Sequence, residues 1–177
     1  MSGSTSVYYP PPAFSFTVTV AGSASALQLS SGYDCGFQEV SGLDATFETE
    51  AVPEGGQNGY VHKLPKVGKY PNLVLRRGYV TKPSFLSEWA AQTVGSSLAD
   101  PILTQSLVVM LLGADRVPLV AWYCAQAWPV RWVTGPFDSA KNQVLSESLE
   151  FAYAYASRIP LNEAVSMVPA VAALIGT

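Results

Sequence analysis

The chain has 177 residues, of which 13% are charged and 49% hydrophobic, and its net charge is -3. That excludes intrinsic disorder, which needs low hydrophobicity and high net charge, and it disfavours nucleic-acid binding through a generally basic surface. With so few charges, a domain of this size leaves weakly polar surface of the kind that usually meets a partner.

Residues 1–12 read as a flexible Pro-rich arm: Ser and Gly first, then Tyr8, Tyr9 and three prolines that favour an extended, unpaired backbone. They contain neither the basic nor the apolar segment of a secretory signal. Phe14, Phe16, Val18 and Val20 alternate with Ser15, Thr17 and Thr19, the period of a half-buried strand. A second extended stretch runs from Phe37 to Val52. Pro53-Glu54-Gly55-Gly56-Gln57-Asn58-Gly59 breaks it, and a loop is expected to about Tyr70 before a strand resumes over Asn72–Val80.

Pro83 is suited to open a helix, because its missing N–H has no partner in the first turn. Leu86, Trp89, Ala90, Thr93 and Val94 share one helical face, and Gly95 is placed to end it. Beyond it, the apolar runs Leu103–Leu112 and Val117–Val133 flank a Gly-Ala-Asp-Arg turn and predict a hairpin. Val144–Ala156 reads as a last long strand, with Leu149, Phe151, Tyr153 and Tyr155 on one face. Pro160 to Thr177 is an apolar tail, and the run Ala164–Ile175 within it is too short to span a bilayer. Together these elements predict a mainly β protein, a β-barrel or two-sheet sandwich with one flanking α-helix. Its domain is expected over 13–158, between an arm (1–12) and a tail (159–177).

The charges are polarised along the chain. Asp34, Glu39, Asp44, Glu48, Glu50 and Glu54 form an acidic block without bases; Lys63, Lys66, Lys69, Arg76, Arg77 and Lys82 form a basic block without acids. Two adjacent strands that neutralise each other within one subunit would explain this. So would opposite faces that meet between copies, a heterologous contact that builds rings or filaments.

Catalytic signatures are weak. His62 is the only histidine, and Cys35 and Cys124 form no C-x-x-C pair, so neither a histidine metal cluster nor a structural zinc site is expected. Both cysteines read as reduced and buried. The Glu54–Gly59 loop lacks the Lys-Ser/Thr of a phosphate cradle. Glu48 and Glu50 share a strand face, in the manner of paired glycosidase carboxylates, but a solvated or interface face accounts for them. Trp122, Trp128 and Trp132 read as core or subunit packing in preference to a sugar platform. No enzyme activity and no cofactor are expected.

Several blocks in order carry a resemblance: F-Q-E-V-S-G-L-D-A from Phe37, P-E-G-G-Q-N, H-K-L-P-K-V-G-K-Y-P-N-L-V-L-R-R-G, W-Y-C-A-Q-A-W-P-V-R-W, and S-E-S-L-E-F-A. Over about residues 14–156 the sequence resembles the inner tube proteins of contractile phage tails and contractile injection systems, a family that shares its fold with the hexameric ring protein of type VI secretion. The resemblance implies hexameric rings stacked into a hollow tube inside a contractile sheath. It implies partners in the sheath, the baseplate or hub and the tube-terminating proteins, and a protein or DNA payload in the lumen. Assembly is expected in the bacterial cytoplasm, without stable membrane insertion. The stretch Glu54–Tyr70 matches a loop that contacts neighbouring rings. With the charge blocks, this makes Glu48, Glu50, Glu54, Asn58, His62, Lys63, Lys66, Lys69, Arg76, Arg77 and Lys82 the candidate contact residues. The arm and the tail lie outside the family pattern. The tail admits docking on a neighbour or the sheath, or a specialised ring at the baseplate end; a delivered carbohydrate-binding sandwich is the remote alternative.

Overall fold

A computed structural model describes residues 15–21, 34–79, 81, 84–96, 99–113, 118–135 and 145–159. In chain order the elements are β1 (Ser15–Val20), β2 (Asp34–Phe37), β3 (Glu39–Ser41), β4 (Thr46–Val52), β5 (His62–Lys69), β6 (Leu73–Gly78), α1 (Phe85–Gly95), β7 (Gln105–Leu112), β8 (Pro118–Thr134), β9 (Ser146–Ala152) and β10 (Tyr155–Ile159). The expected arm and most of the expected tail lie outside the described residues.

The main sheet is antiparallel, in the order β2-β1-β7-β8-β9-β6-β3, with β10 also paired to β8. Its two terminal strands are consecutive in the chain, separated only by Gln38, whose N–H donates to the Arg76 carbonyl at 2.8 Å. The sheet therefore closes into a barrel, the solution that leaves the fewest exposed strand edges. The alternating residues Phe16, Val18, Leu73, Leu75, Leu107, Val109, Leu149 and Phe151 point inward and form the main core.

The helix plugs one side of that core. Its N-cap is Ser84, whose hydroxyl accepts from the Ser87 N–H at 3.3 Å; Pro83 itself lies outside the described residues. Leu86, Trp89 and Ala90 are buried as expected, and Trp89 meets Phe85 and Phe151 at ring distances of 5.9 and 5.5 Å. Val94, assigned to the same face, is exposed, so the buried stripe is confined to the first turns of the helix.

Three expectations need correction. Residues 62–69 are a strand, not part of a loop: they pair with β4 in a separate two-stranded sheet. Pro65 and Gly68 hide it in the sequence, since both residues weaken a strand signal. The last predicted strand breaks at Tyr153–Ala154, opposite a bulge at Gln126 in β8, where φ is 51°. The break reverses the faces, so Ala156 packs on the main core while Tyr155 is exposed. Finally, β1 is not half-buried. Thr17 and Thr19 are 1% and 4% exposed, so the face opposite the core is covered too.

Candidate assembly interface

The β4–β5 hairpin stands apart from the barrel. All its strand residues are exposed except Gly68, which is half-buried, although the sequence alternates as a strand with one buried face would. Isolated two-stranded hairpins are marginal in water, so such an element usually gains stability from another surface.

Cross-strand neighbours divide its side chains. Thr46 lies opposite Lys69, Glu50 opposite Leu64 and Val52 opposite His62. Residues opposite one another share a face, and this one carries a charge ladder. Lys69 pairs with Glu48, Lys66 with Glu50 at 3.5 Å, and His62 lies 3.6 Å from Glu54. Each pair is solvent-exposed and contributes about 0–1 kcal/mol, but together they hold the hairpin's register. On the other face Phe47 lies opposite Gly68, Thr49 opposite Pro65 and Ala51 opposite Lys63. The Phe47 ring covers the bare backbone of Gly68, 3.4 Å from where a Cβ would stand. Lys63 has no ion-pair partner among the described residues.

Much of the hairpin's apolar surface is open. Phe47 is 68% and Val67 85% exposed, and Tyr60 and Val61 near the tip are exposed as well. Asn58 is exposed in the tip, between the Gln57 side chain's bond to the Gly59 N–H and the Tyr60–His62 ring contact. Sequence reasoning singles out charge and misses Phe47 and Val67. The alternation of Phe47, Thr49 and Ala51 with acids is the signal that could have found the first of them.

The remaining candidates sit elsewhere. Arg76 on β6 pairs with Glu39 on β3 at 3.0 Å. Arg77, the next residue, points to the opposite side and is only 3% exposed. Its Nε donates to Glu147 on β9 at 2.9 Å, its Nη2 donates to the Ser84 and Ser87 hydroxyls at 2.7 Å, and its guanidinium lies 5.1 Å from the Phe37 ring centre. Glu147 also accepts from Ser87 at 2.8 Å and from the Trp132 indole at 2.9 Å. Arg77 therefore ties the start of α1 to the barrel wall and is buried there. Lys82 lies outside the described residues. The acidic and basic blocks thus meet within the subunit along β4–β5 and β3–β6.

No group of three or more His, Cys, Asp or Glu side chains among the described residues is placed to hold a metal ion. No helix among them is long and apolar enough to cross a membrane.

The model of a family described as T4-like virus tail tube protein gp19 matches residues 12–157. No curated protein matches the chain. Among solved structures, a chain in the 6-fold symmetrised cryo-EM structure of the anti-feeding prophage baseplate is 27% identical, with a TM-score of 0.71 over 88% of this chain and 99% of that one. A chain of the sheath–tube complex of the extracellular contractile injection system PVC, in its extended state, is 23% identical, with a TM-score of 0.68 over 89% and 99%. A type six secretion system protein, 12% identical, has a TM-score of 0.51 over 82% and 83%. The last two share the fold.

Proposed function

The chain belongs to the T4-like virus tail tube protein family, and from that membership we propose that it forms hexameric rings that stack into the hollow inner tube of a contractile injection particle or phage tail. The observation that carries this reading is the family match over residues 12–157, which takes in every described β-strand except the last two residues of β10. Six-fold symmetry is supported by the 27% identical chain, which comes from a 6-fold symmetrised assembly. The low charge of the sequence fits a subunit with neighbours on several sides.

In this reading the partners are other copies of the chain, the surrounding sheath, and baseplate and cap proteins; a payload passes through the lumen when the tube is driven into a target envelope. The role is structural and not catalytic, and assembly takes place in the bacterial cytoplasm. The β4–β5 hairpin bears on the next ring. Its ladder of Glu48, Glu50, Glu54, His62, Lys66 and Lys69 stiffens it, and its other face, with Phe47, Ala51 and Lys63, makes the contact. A tube-initiating ring at the baseplate is the second reading, favoured by the baseplate origin of the same 27% identical chain.

Negative-stain electron microscopy of the purified protein over a concentration series tests the proposal. Six-fold rings that stack into hollow tubes are expected. Rings that never stack would select the baseplate reading, and a persistent monomer by light scattering would overturn both. Lys63→Glu sharpens the test, because it disturbs no ion pair described in the subunit. It is expected to leave rings intact and to shorten the tubes without abolishing them, because most of the open surface of the hairpin is apolar; tubes of unchanged length from this variant would remove Lys63 from the contact.

A further inference from the structure

The two ends of the barrel carry different surfaces. The β4–β5 hairpin leaves the barrel where β6 begins, since Ser41 at the end of β3 pairs with Val74 and Gly42 lies against the Asn72 carbonyl. The opposite end is where β6 stops. Tyr79 follows its last residue there and donates its N–H to the Leu145 carbonyl at 2.8 Å. The first turn of α1 sits at the same end, because the Arg77 guanidinium holds the Ser84 and Ser87 hydroxyls. Trp132 adjoins that turn: its indole N–H and the Ser87 hydroxyl donate to the same oxygen of Glu147. Tyr79, Trp132 and the neighbouring Val133 are exposed, and tryptophan and tyrosine are enriched among the residues that anchor protein contacts. Next to Ser87, Glu88 is exposed and has no ion-pair partner among the described residues.

We infer that this end receives the hairpin of a copy in the next ring, with Phe47 set against Trp132 and Tyr79 and with Lys63 beside Glu88. The inference rests on the stacked-tube reading and adds to it the surface on which the hairpin lands. Charge selects another copy of the chain as the occupant. Lys63 is the cation left unpaired on the hairpin's contact face, and Glu88 is an acid left unpaired at the far end. One exposed pair adds little affinity but fixes register. Hairpin against hairpin would instead bring Lys63 towards Lys63, which like-charge repulsion disfavours. The placement of the two surfaces gives the same answer. Each contact leaves a free hairpin at one end and a free Trp132 surface at the other, so it repeats head to tail without closing. Phe47 and Trp132 are both open to water in the single subunit, and each loses apolar exposure when they meet. The receiving surface is also held in place. Trp132 is bonded to Glu147, and Glu147 to Arg77 and Ser87, so covering it costs little side-chain freedom.

Replacing Phe47 with the photoreactive analogue p-benzoylphenylalanine in the full chain reads out what the hairpin touches, once assembled protein is irradiated, digested and analysed by mass spectrometry. Cross-links between copies that join position 47 to peptides containing Tyr79, Glu88 or Trp132 are expected, with a ladder of multimers on a denaturing gel. Tubes whose cross-links stay within one subunit, or run from hairpin to hairpin, would overturn the inference and leave the stacked-tube reading standing. Unmodified protein that never stacks would overturn both. A charge exchange is the second measurement and leaves Phe47 untouched. At low salt Glu88→Lys is expected to shorten the tubes several-fold, as Lys63→Glu does, and the double variant is expected to restore their length. Tubes of full length from Glu88→Lys, or a double variant no longer than either single one, would overturn the inference as well.

Discussion

Arg77 shows how one residue can carry a charge without belonging to the surface. It and Glu147 are both 3% exposed, and they are joined to each other and to Ser84, Ser87 and Trp132 by hydrogen bonds. Removing one member of such a pair strands a buried charge, which costs about 3–5 kcal/mol. Arg77→Met or Glu147→Gln is therefore expected to lower stability by that order in denaturant unfolding, and the double variant by less than the sum of the two. A sum that is simply additive would show that the two side chains do not act as a pair. Cys124 makes a second case. Burial pushes its thiol up to about 12, from an ordinary 9.0. At pH about 8 the neutral thiol then persists, and a thiol is a poor nucleophile. In a Cys35→Ser background, Ellman's reagent is expected to find no reactive thiol in the native protein and one in denaturant. Rapid reaction of the folded protein would show that the site opens readily.

At the scale of elements, the corner between β3 and β4 is set by Gly42. Its φ is +86°, and a Cβ there would fall on the Asn72 carbonyl oxygen, which is backbone and cannot step aside. The Tyr153 hydroxyl donates to the Gly42 carbonyl and fixes the same corner from the other side. Gly42→Ala combines a disfavoured backbone angle with a steric clash and is expected to cost about 2 kcal/mol or more, seen as a lowered unfolding midpoint. A neutral result would mean that the corner relaxes easily. The G-L dipeptide of the E-V-S-G-L block thus has a physical reason: the glycine permits the close approach that starts the hairpin, and Leu43 packs on the core beside it. The hairpin's first strand is legible from the alternation of Phe47, Thr49 and Ala51 with acids. Its second strand is not, because Pro65 and Gly68 are strand-breaking residues by local preference and only the pairing with β4 outweighs them.

At the scale of the whole molecule, the question is what joins one subunit to the next. Complementary charge is the expectation from sequence, yet in the subunit most of those charges already have partners. What remains open on the hairpin is largely apolar, with Phe47 and Val67 the most exposed. Contacts of that kind are insensitive to screening, whereas exposed ion pairs are screened at about 0.5 M salt, where the Debye length falls to roughly 4 Å. Stacked tubes are accordingly expected to persist at about 0.5 M salt and to be lost in Phe47→Ser, both observable by electron microscopy. Tubes that dissolve with salt but survive that substitution would return the contact to the charges.

The class of fold, the position of the helix and the buried stripe of its first turns, the paired runs of β7 and β8, and the tail tube family were all legible in the order of the amino acids. Each of these rests on local periodicity or on blocks of residues in order, which a chain displays without being folded. Folding was needed to make Arg77 an internal clasp while Arg76 faces water, to pair residues 62–69 as a strand, and to bring Thr17 and Thr19 under cover. Those outcomes depend on contacts between residues far apart in the chain: Arg77 with Glu147, His62 with Val52, and the threonine face of β1 with whatever closes over it. Alternation specifies that a strand has two faces, but how many of them are buried is set by the layers packed around it.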